Sequence, residues 1–295
     1  MGKSFSTEVK YELCELNIQS PAEAVSELAA MLLFGENEEN GDIVIKTQHA
    51  IVAARLQVLF KKAIKEEILI DVCDKKKMYS IRVSTDIVES LGVYFSEDGE
   101  ISLDEDIYSD ENTKRAFLRG AFIISGTIAS PEKAYSCEIF TYNEFIAALA
   151  GEILENFDLH VNIVKRKNYY VAYLKDSSSI SDFLSVISAH KNMMEYMNAF
   201  IQKTLTNKIN RQNNCQIANL GKTVNASVKQ RNAINKLMNL PLWEEIDEDT
   251  KKIAKVRLEY PNESLENIGK MVVPAMSKSA VSRRLNKLIE KAEEL

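Results

Sequence analysis

Residues 1–190 run through one order of elements twice, about ninety residues apart, and no other feature restricts the fold so tightly. In the first copy an apolar run from Ala24 to Phe34 predicts a helix, then a strand over Asp42–Thr47 and a second helix over Ala50–Ile64. Ile68, Ile70 and Val72 alternate with other residues, Lys75-Lys76-Lys77 offers a turn, and Tyr79, Ile81 and Val83 alternate back, which is the period-two pattern of a hairpin. A short helix near Ile87–Leu91 closes the unit. The second copy has a helix over Thr113–Ile124, a strand over Ala134–Thr141 and a helix capped by Asn143 that continues to Asn156. Leu159, Val161 and Ile163 lead to a turn at Lys165-Arg166-Lys167-Asn168, Tyr169, Val171 and Tyr173 return, and a helix follows over Ser179–Ile187. An acidic joint, residues 96–112, separates the copies; it carries Glu97, Asp98, Glu100, Asp104, Glu105, Asp106, Asp110 and Glu111 and no basic residue. The reading is a domain of two halves, 1–110 and 111–195, neither of which closes its own sheet, so that both share one core.

The first helix of each copy is the more telling part. One reads Leu28-Ala-Ala-Met-Leu-Leu-Phe-Gly35-Glu36, the other Leu118-Arg-Gly-Ala-Phe-Ile-Ile-Ser125-Gly126. With Ala30 set against Gly120, small residues stand where two helix backbones would approach closely. The pattern resembles the LAGLIDADG helices of homing endonucleases, and the fold class this implies is α+β, a duplicated LAGLIDADG-type αββαββα domain. In that family the helix ends in an acidic residue followed by glycine, and the paired carboxylates hold divalent metals for phosphodiester cleavage. Here Gly35 and Ser125 are read at those positions, and neither offers a carboxylate. Glu36 lies next door in the first copy without a counterpart near Ser125. The expectation is no catalytic residue, no metal and no cofactor. The competing reading is a metal-dependent endonuclease with weak residual activity through Glu36.

The net charge of −6 hides an asymmetry. Residues 205–295 hold 16 Lys and Arg against 11 Asp and Glu, and residues 1–204 hold 21 against 32. From Glu195 to Glu244 no acidic residue intervenes, while Lys203, Lys208, Arg211, Lys222, Lys229, Arg231 and Lys236 do, among many Asn and Gln. Cations release counterions from DNA and amides bond its phosphate oxygens; taken alone, the pattern suits a solvated helical face equally. Residues 192–238 are expected to be two helices broken near Asn213-Asn214 or Gly221, and 196–240 to be a basic helical linker, with Arg211, Lys222 and Lys229 as DNA contacts.

After the boundary at Pro241, residues 241–295 predict an all-α domain of three helices. The first spans Asp247–Glu259 and stops before Pro261; the second is capped by Ser264 and carries Leu265, Ile268 and Met271 at helical spacing to about Val272. Pro274-Ala275-Met276 turns, and Ser277 caps the third helix. Two capped helices across a short turn outline a helix-turn-helix. Ala280, Val281, Leu285 and Leu288 face a core. Ser279, Ser282 and Arg283 are the expected base-facing residues, Lys278, Arg284 and Lys287 the phosphate contacts, and Asn286 lies on the same side. An amphipathic helix with a solvated basic face is the plainer alternative.

Four stretches together carry a wider resemblance: Arg115-Ala-Phe-Leu-Arg-Gly-Ala-Phe122, Tyr173-Leu-Lys-Asp-Ser177, Asn214-Cys-Gln-Ile-Ala-Asn-Leu-Gly-Lys-Thr-Val-Asn225 and Ser277-Lys-Ser-Ala-Val-Ser-Arg-Arg-Leu285. They are similar to the WhiA family of bacterial transcription regulators over nearly the whole chain. The resemblance implies a degenerate homing-endonuclease domain joined to a sigma-factor-like helix-turn-helix, in a regulator linked to sporulation or to cell division and chromosome segregation. The first copy departs from the family's usual Asn/Asp-Gly ending at Gly35-Glu36. Double-stranded DNA at promoter regions is the expected partner, with a protein partner for the acidic front domain as a further possibility and a third reading in which that domain is an interaction module of a division complex. The start Met1-Gly2-Lys3-Ser4 leads into a polar helix, and no apolar run approaches the ~20 residues that span a bilayer. No membrane association is expected, and the location is read as cytoplasmic and nucleoid-associated. Cys14, Cys73, Cys137 and Cys215 are widely spaced and read as buried free thiols.

Overall fold

The computed structural model describes residues 4–37, 42–68, 70–73, 78–96 and 100–295. The expected turn Lys75-Lys76-Lys77, the acidic Glu97 and Asp98, and the Cys73 side chain lie outside the described residues. The chain divides into two compact units, Met1–Thr204 and Leu205–Leu295.

In the first unit Ser4 caps α1 (Phe5–Glu15), its Oγ accepting from the Thr7 amide at 3.2 Å, and Ser20 caps α2 (Pro21–Leu33) in the same way. Then come β1 (Glu36–Asn37), β2 (Ile43–Thr47), α3 (Ala50–Ala63), β3 (Asp71–Cys73), β4 (Met78–Val83) and α4 (Thr85–Ser90). A small hairpin, β5 (Val93–Phe95) and β6 (Ile101–Leu103), and a 3₁₀ turn at Glu105–Tyr108 fall in the joint. The order then recurs as α5 (Glu111–Ser125), β7 (Gly126–Ile128), β8 (Cys137–Thr141), α6 (Glu144–Glu155), β9 (Asn162–Arg166), β10 (Tyr169–Leu174) and α7 (Ser177–Val186). The two four-stranded antiparallel sheets have matching orders, β1-β2-β4-β3 and β7-β8-β10-β9. The duplicated αββαββα architecture is thus present, and one continuous apolar cluster draws on both copies, from Leu28, Ile45 and Phe60 to Phe122, Ile139 and Phe183.

Helices α2 and α5 meet along their length at the centre of this core. A Cβ placed on Gly120 would lie 2.3 Å from the Glu27 carbonyl oxygen and 3.0 Å from the Ala30 Cβ, so only glycine permits this approach. Beside the contact Glu27 is wholly buried and accepts from two guanidinium groups. Arg55 of α3 donates through Nε and Nη2 at 2.7 and 2.9 Å, and Arg119 of α5 through Nε at 2.7 Å. Arg55 also donates to the Leu16 carbonyl, and Arg119 reaches Glu23 at 3.7 Å. Two carboxylates thus balance two guanidiniums. Such a cluster repays its desolvation only while complete, and losing one member of a buried pair costs about 3–5 kcal/mol.

Strand registers fix which residues of the two copies correspond. Ile43 faces Val83 and Cys137 faces Leu174, the last residues of the two six-residue central strands. Asn37 pairs with Ile43 and Ile128 with Cys137. Counting back from these pairs sets Gly35 against Gly126, Phe34 against Ser125 and Ala29 against Gly120. The sequence pairings of Gly35 with Ser125 and of Ala30 with Gly120 are therefore one residue out; apolar runs fix a helix face but not its register to the residue. At the end of α5, Lys10 of α1 donates to the Ile124 carbonyl at 3.4 Å, and burial lowers its ammonium pKa to about 8.

In the second unit the last turns of α8 (His190–Met238) are followed by a 3₁₀ turn at Pro241–Trp243, α9 (Glu248–Glu259), α10 (Leu265–Met271) and α11 (Lys278–Glu293). They enclose a separate core that includes Ile234, Leu237, Ile253, Ile268, Val281 and Leu285. The expected break near Asn213-Asn214 or Gly221 is absent, because α8 is continuous: asparagine and glycine disfavour a helix interior by only about 1 kcal/mol or less each and can be carried within it. Of the thiols, Cys137 is buried and Cys14 half-buried, but Cys215 stands exposed on α8, contrary to the expectation of buried cysteines.

Two outcomes follow. Gly120→Ala gains about 1 kcal/mol of helix propensity but drives a methyl group into a backbone carbonyl, so a net loss of about 1–3 kcal/mol is expected in urea unfolding; an unchanged or raised midpoint would contradict the close approach. Because the folded state disfavours the charged form of Lys10, its burial cost is fully present below about pH 8 and is relieved as pH rises toward the ordinary value of 10.5. The stability difference between wild type and Lys10→Met should therefore shift in favour of wild type across that window, and a flat difference would place the ammonium in water.

Candidate nucleic-acid interface

The helix-turn-helix is assembled by backbone contacts before any charge is considered. Ser264 Oγ accepts from the Asn267 amide at 3.2 Å to start α10, and Ser277 Oγ accepts from the Ala280 amide at 3.3 Å to start α11. Between them the Met276 amide donates to the Gly269 carbonyl at 2.8 Å. A Cβ on Gly269 would stand 2.2 Å from the Met276 oxygen, so glycine is needed where the chain crosses α10. The loop after α9 is held from inside. Arg257 is buried and donates through Nη1 to the carbonyls of Glu263 at 2.8 Å and Pro261 at 3.4 Å, and Ser227 of α8 also donates to Pro261. Burial pulls the Arg257 guanidinium pKa below its ordinary value.

With α11 fixed, its faces separate. Val281, Leu285, Leu288 and Ala292 are buried. Ser279, Arg283 and Asn286 project on the opposite side at helical spacing and are exposed, as are Lys278 and Lys287, whereas Ser282 is half-buried at the edge. Arg284, expected as a phosphate contact, is engaged within the domain. It is half-buried, with Nη1 3.2 Å from Asp247 Oδ1 and Nη2 3.5 Å from Asp249 Oδ2, so its fork clasps the start of α9. Asp247 also caps α9 through the Thr250 amide at 3.0 Å. Burial works against it, but the Thr250 hydrogen bonds and the Arg284 charge hold the Asp247 carboxyl below its ordinary range. The sequence alone does not mark Gly269, Arg257 or the Asp247–Arg284 pair as site-forming. A glycine inside a seven-residue helix was the one available sign of close approach; the other contacts join residues distant in the chain.

On α8, Arg211, Lys222 and Lys229 are exposed. Their separations of 11 and 7 residues set them within about 20° of one another over a length of about 27 Å, on a helix face without an acidic neighbour. The structure thus places the sequence-expected cations in two groups, one on α8 and one on the outer face of α11.

The first unit carries a different chemistry at the ends of α2 and α5. Phe34 is buried in the core, and Ser125, also buried, spends its hydroxyl on the Ala121 carbonyl at 3.2 Å. Glu36 points from β1 to Lys46 at 2.8 Å and is exposed. An aromatic ring and a back-bonded hydroxyl supply no anionic oxygen pair, so these positions do not fit a divalent cation held between the helices.

The chain matches two family descriptions, the WhiA LAGLIDADG-like domain over residues 114–206 and the WhiA C-terminal HTH domain over residues 209–292. It is 35% identical to the "Probable cell division protein WhiA" of Clostridium acetobutylicum and 33% identical to that of Clostridium beijerinckii, in each case over 99% of this chain and 98% of the relative. Among solved structures it is similar to full-length DUF199/WhiA from Thermatoga maritima, at 25% identity and a TM-score of 0.60 over 99% of both chains. With a duplicated LAGLIDADG-like unit, a helix-turn-helix and relatives matched from end to end, the chain belongs to the WhiA family.

Proposed function

We propose that this protein is a sequence-specific DNA-binding transcription regulator acting in cell division, and that its front unit has lost the nuclease chemistry of its fold. The outer face of α11 carries the reading: Ser279, Arg283 and Asn286 stand clear of the core on a helix whose N-terminal half follows a tight turn, the half from which such helices contact bases. Arg283 suits a guanine edge and Asn286 an adenine edge. Lys278 and Lys287 flank them as phosphate contacts, and Arg211, Lys222 and Lys229 on α8 add sequence-independent affinity. Arg284 acts as a positioning residue that holds α11 to α9. The role in cell division rests on the names of the relatives. Loss of cleavage rests on Phe34 and Ser125, since hydrolysis with bound metal needs negative ligands from both helices. The surplus of acidic residues before residue 205 supports a surface for something other than the duplex.

Arg283→Ala should weaken binding to a specific site by about 1–3 kcal/mol and relax the preference at one base pair, whereas Lys222→Ala should weaken all sequences alike and reduce the slope of log affinity against log salt by about 1. Quantitative footprinting over a salt series checks both, and an unaltered footprint for Arg283→Ala would remove α11 from the groove. Supercoiled plasmid incubated with Mg²⁺ or Mn²⁺ should remain intact; nicking that disappears in Glu36→Gln would restore the nuclease.

A further inference from the structure

Helix α8 carries a feature that DNA binding does not use. Every residue from Leu205 to Ala226 is exposed, and the segment is built of weak helix formers: six asparagines, two threonines and Gly221. A stretch of that composition without tertiary support is marginal as a helix in water. Opposite the Arg211–Lys222–Lys229 face it presents an apolar stripe of Leu205, Ile209, Leu220 and Val224, exposed by 54, 55, 65 and 45%. Asn213 and Gln216 complete the stripe at its middle, all six lying within about 100° of the helix circumference.

The spacing of the stripe reads the same from either end. Leu205 and Val224, Ile209 and Leu220, and Asn213 and Gln216 are all symmetric about a point between Asn214 and Cys215. A partner unrelated to this chain would place no such demand. A two-fold contact does, because in an isologous interface residue i meets j and j meets i. We propose that this segment of α8 pairs antiparallel with the same segment of a second copy, the two-fold axis passing between Asn214 and Cys215. Leu205 then packs on Val224 of the second copy and Ile209 on Leu220, while the amides of Asn213 and Gln216 face each other at the centre. A polar pair there fixes register, the use to which buried amides are put in coiled coils. The eleven-residue separation of Ile209 and Leu220 is close to three full turns, so the stripe stays nearly straight along the helix.

With flanking Ile217, which is 68% exposed, the stripe offers on the order of 700 Å² per copy, so a pair would bury about 1,400 Å², within the span of stable specific interfaces.

Sedimentation velocity of the full chain without DNA tests this, with single and paired charge substitutions at the mirror positions. Wild type should pass from the 33.3 kDa chain to twice that mass as concentration rises through the micromolar range. Ile209→Lys alone and Leu220→Glu alone each place an unpaired charge against an apolar side chain of the second copy, and should weaken association at least about tenfold. Combining Ile209→Lys with Leu220→Glu sets the new ammonium of each copy against the new carboxylate of the other and should recover the dimer, while circular dichroism verifies that all four proteins are folded. A wild type that sediments as a single chain up to about 100 μM, a dimer indifferent to both single substitutions, or a double variant that fails to recover would each overturn the proposal.

Discussion

Everything in the front unit hangs on the distance between two helix backbones. Gly120 rests against the Glu27 carbonyl, and that approach brings Glu27, Arg55 and Arg119 within reach of one another in the core. A larger residue at 120 would separate α2 from α5, open the apolar cluster shared by both copies and strand three charges out of water. Phe34 and Ser125, at the ends of the same two helices, are enclosed by the unit's interior, and there a phenyl ring and a self-satisfied hydroxyl are stable where facing carboxylates without a cation would repel.

Much of the architecture could be read from the sequence, for reasons that differ by element. Helices α2, α3, α5 and α6 and strands β2, β4, β8 and β10 show their period because one face of each is buried. The two- and three-residue strands β1 and β7 are too short to show any period, and they alone fix the register between the copies. That is why the sequence alone sets Gly35, and not Phe34, against Ser125. The uninterrupted α8 is illegible for a different reason: its asparagines and glycine argue for a break, yet each costs only about 1 kcal/mol or less and the helix carries them.

The outer face of α11 is legible in the sequence where it depends on helix phase and illegible where it depends on contacts across the domain. Serine caps and apolar spacing located α10 and α11 to within a residue or two. Arg283 and Arg284 are indistinguishable as residue types, and one is free because the other is clasped by Asp247 and Asp249. Neighbouring arginines on one helix thus divide between an outward one and one that holds the fold, a division set by α9 some thirty-five residues earlier.

The crossing of α10 and α11 rests on a main-chain bond from Met276 to Gly269 and on serine caps, with little contributed by the outward side chains of α11. The stability of the fold and the chemistry of its outer face are therefore encoded by separate sets of positions. Substitutions at 279, 283 and 286 can change the chemistry of the outer face of α11 while leaving the scaffold's folding free energy nearly untouched. Among descendants of one such gene, that outer face is accordingly free to drift much faster than the fold.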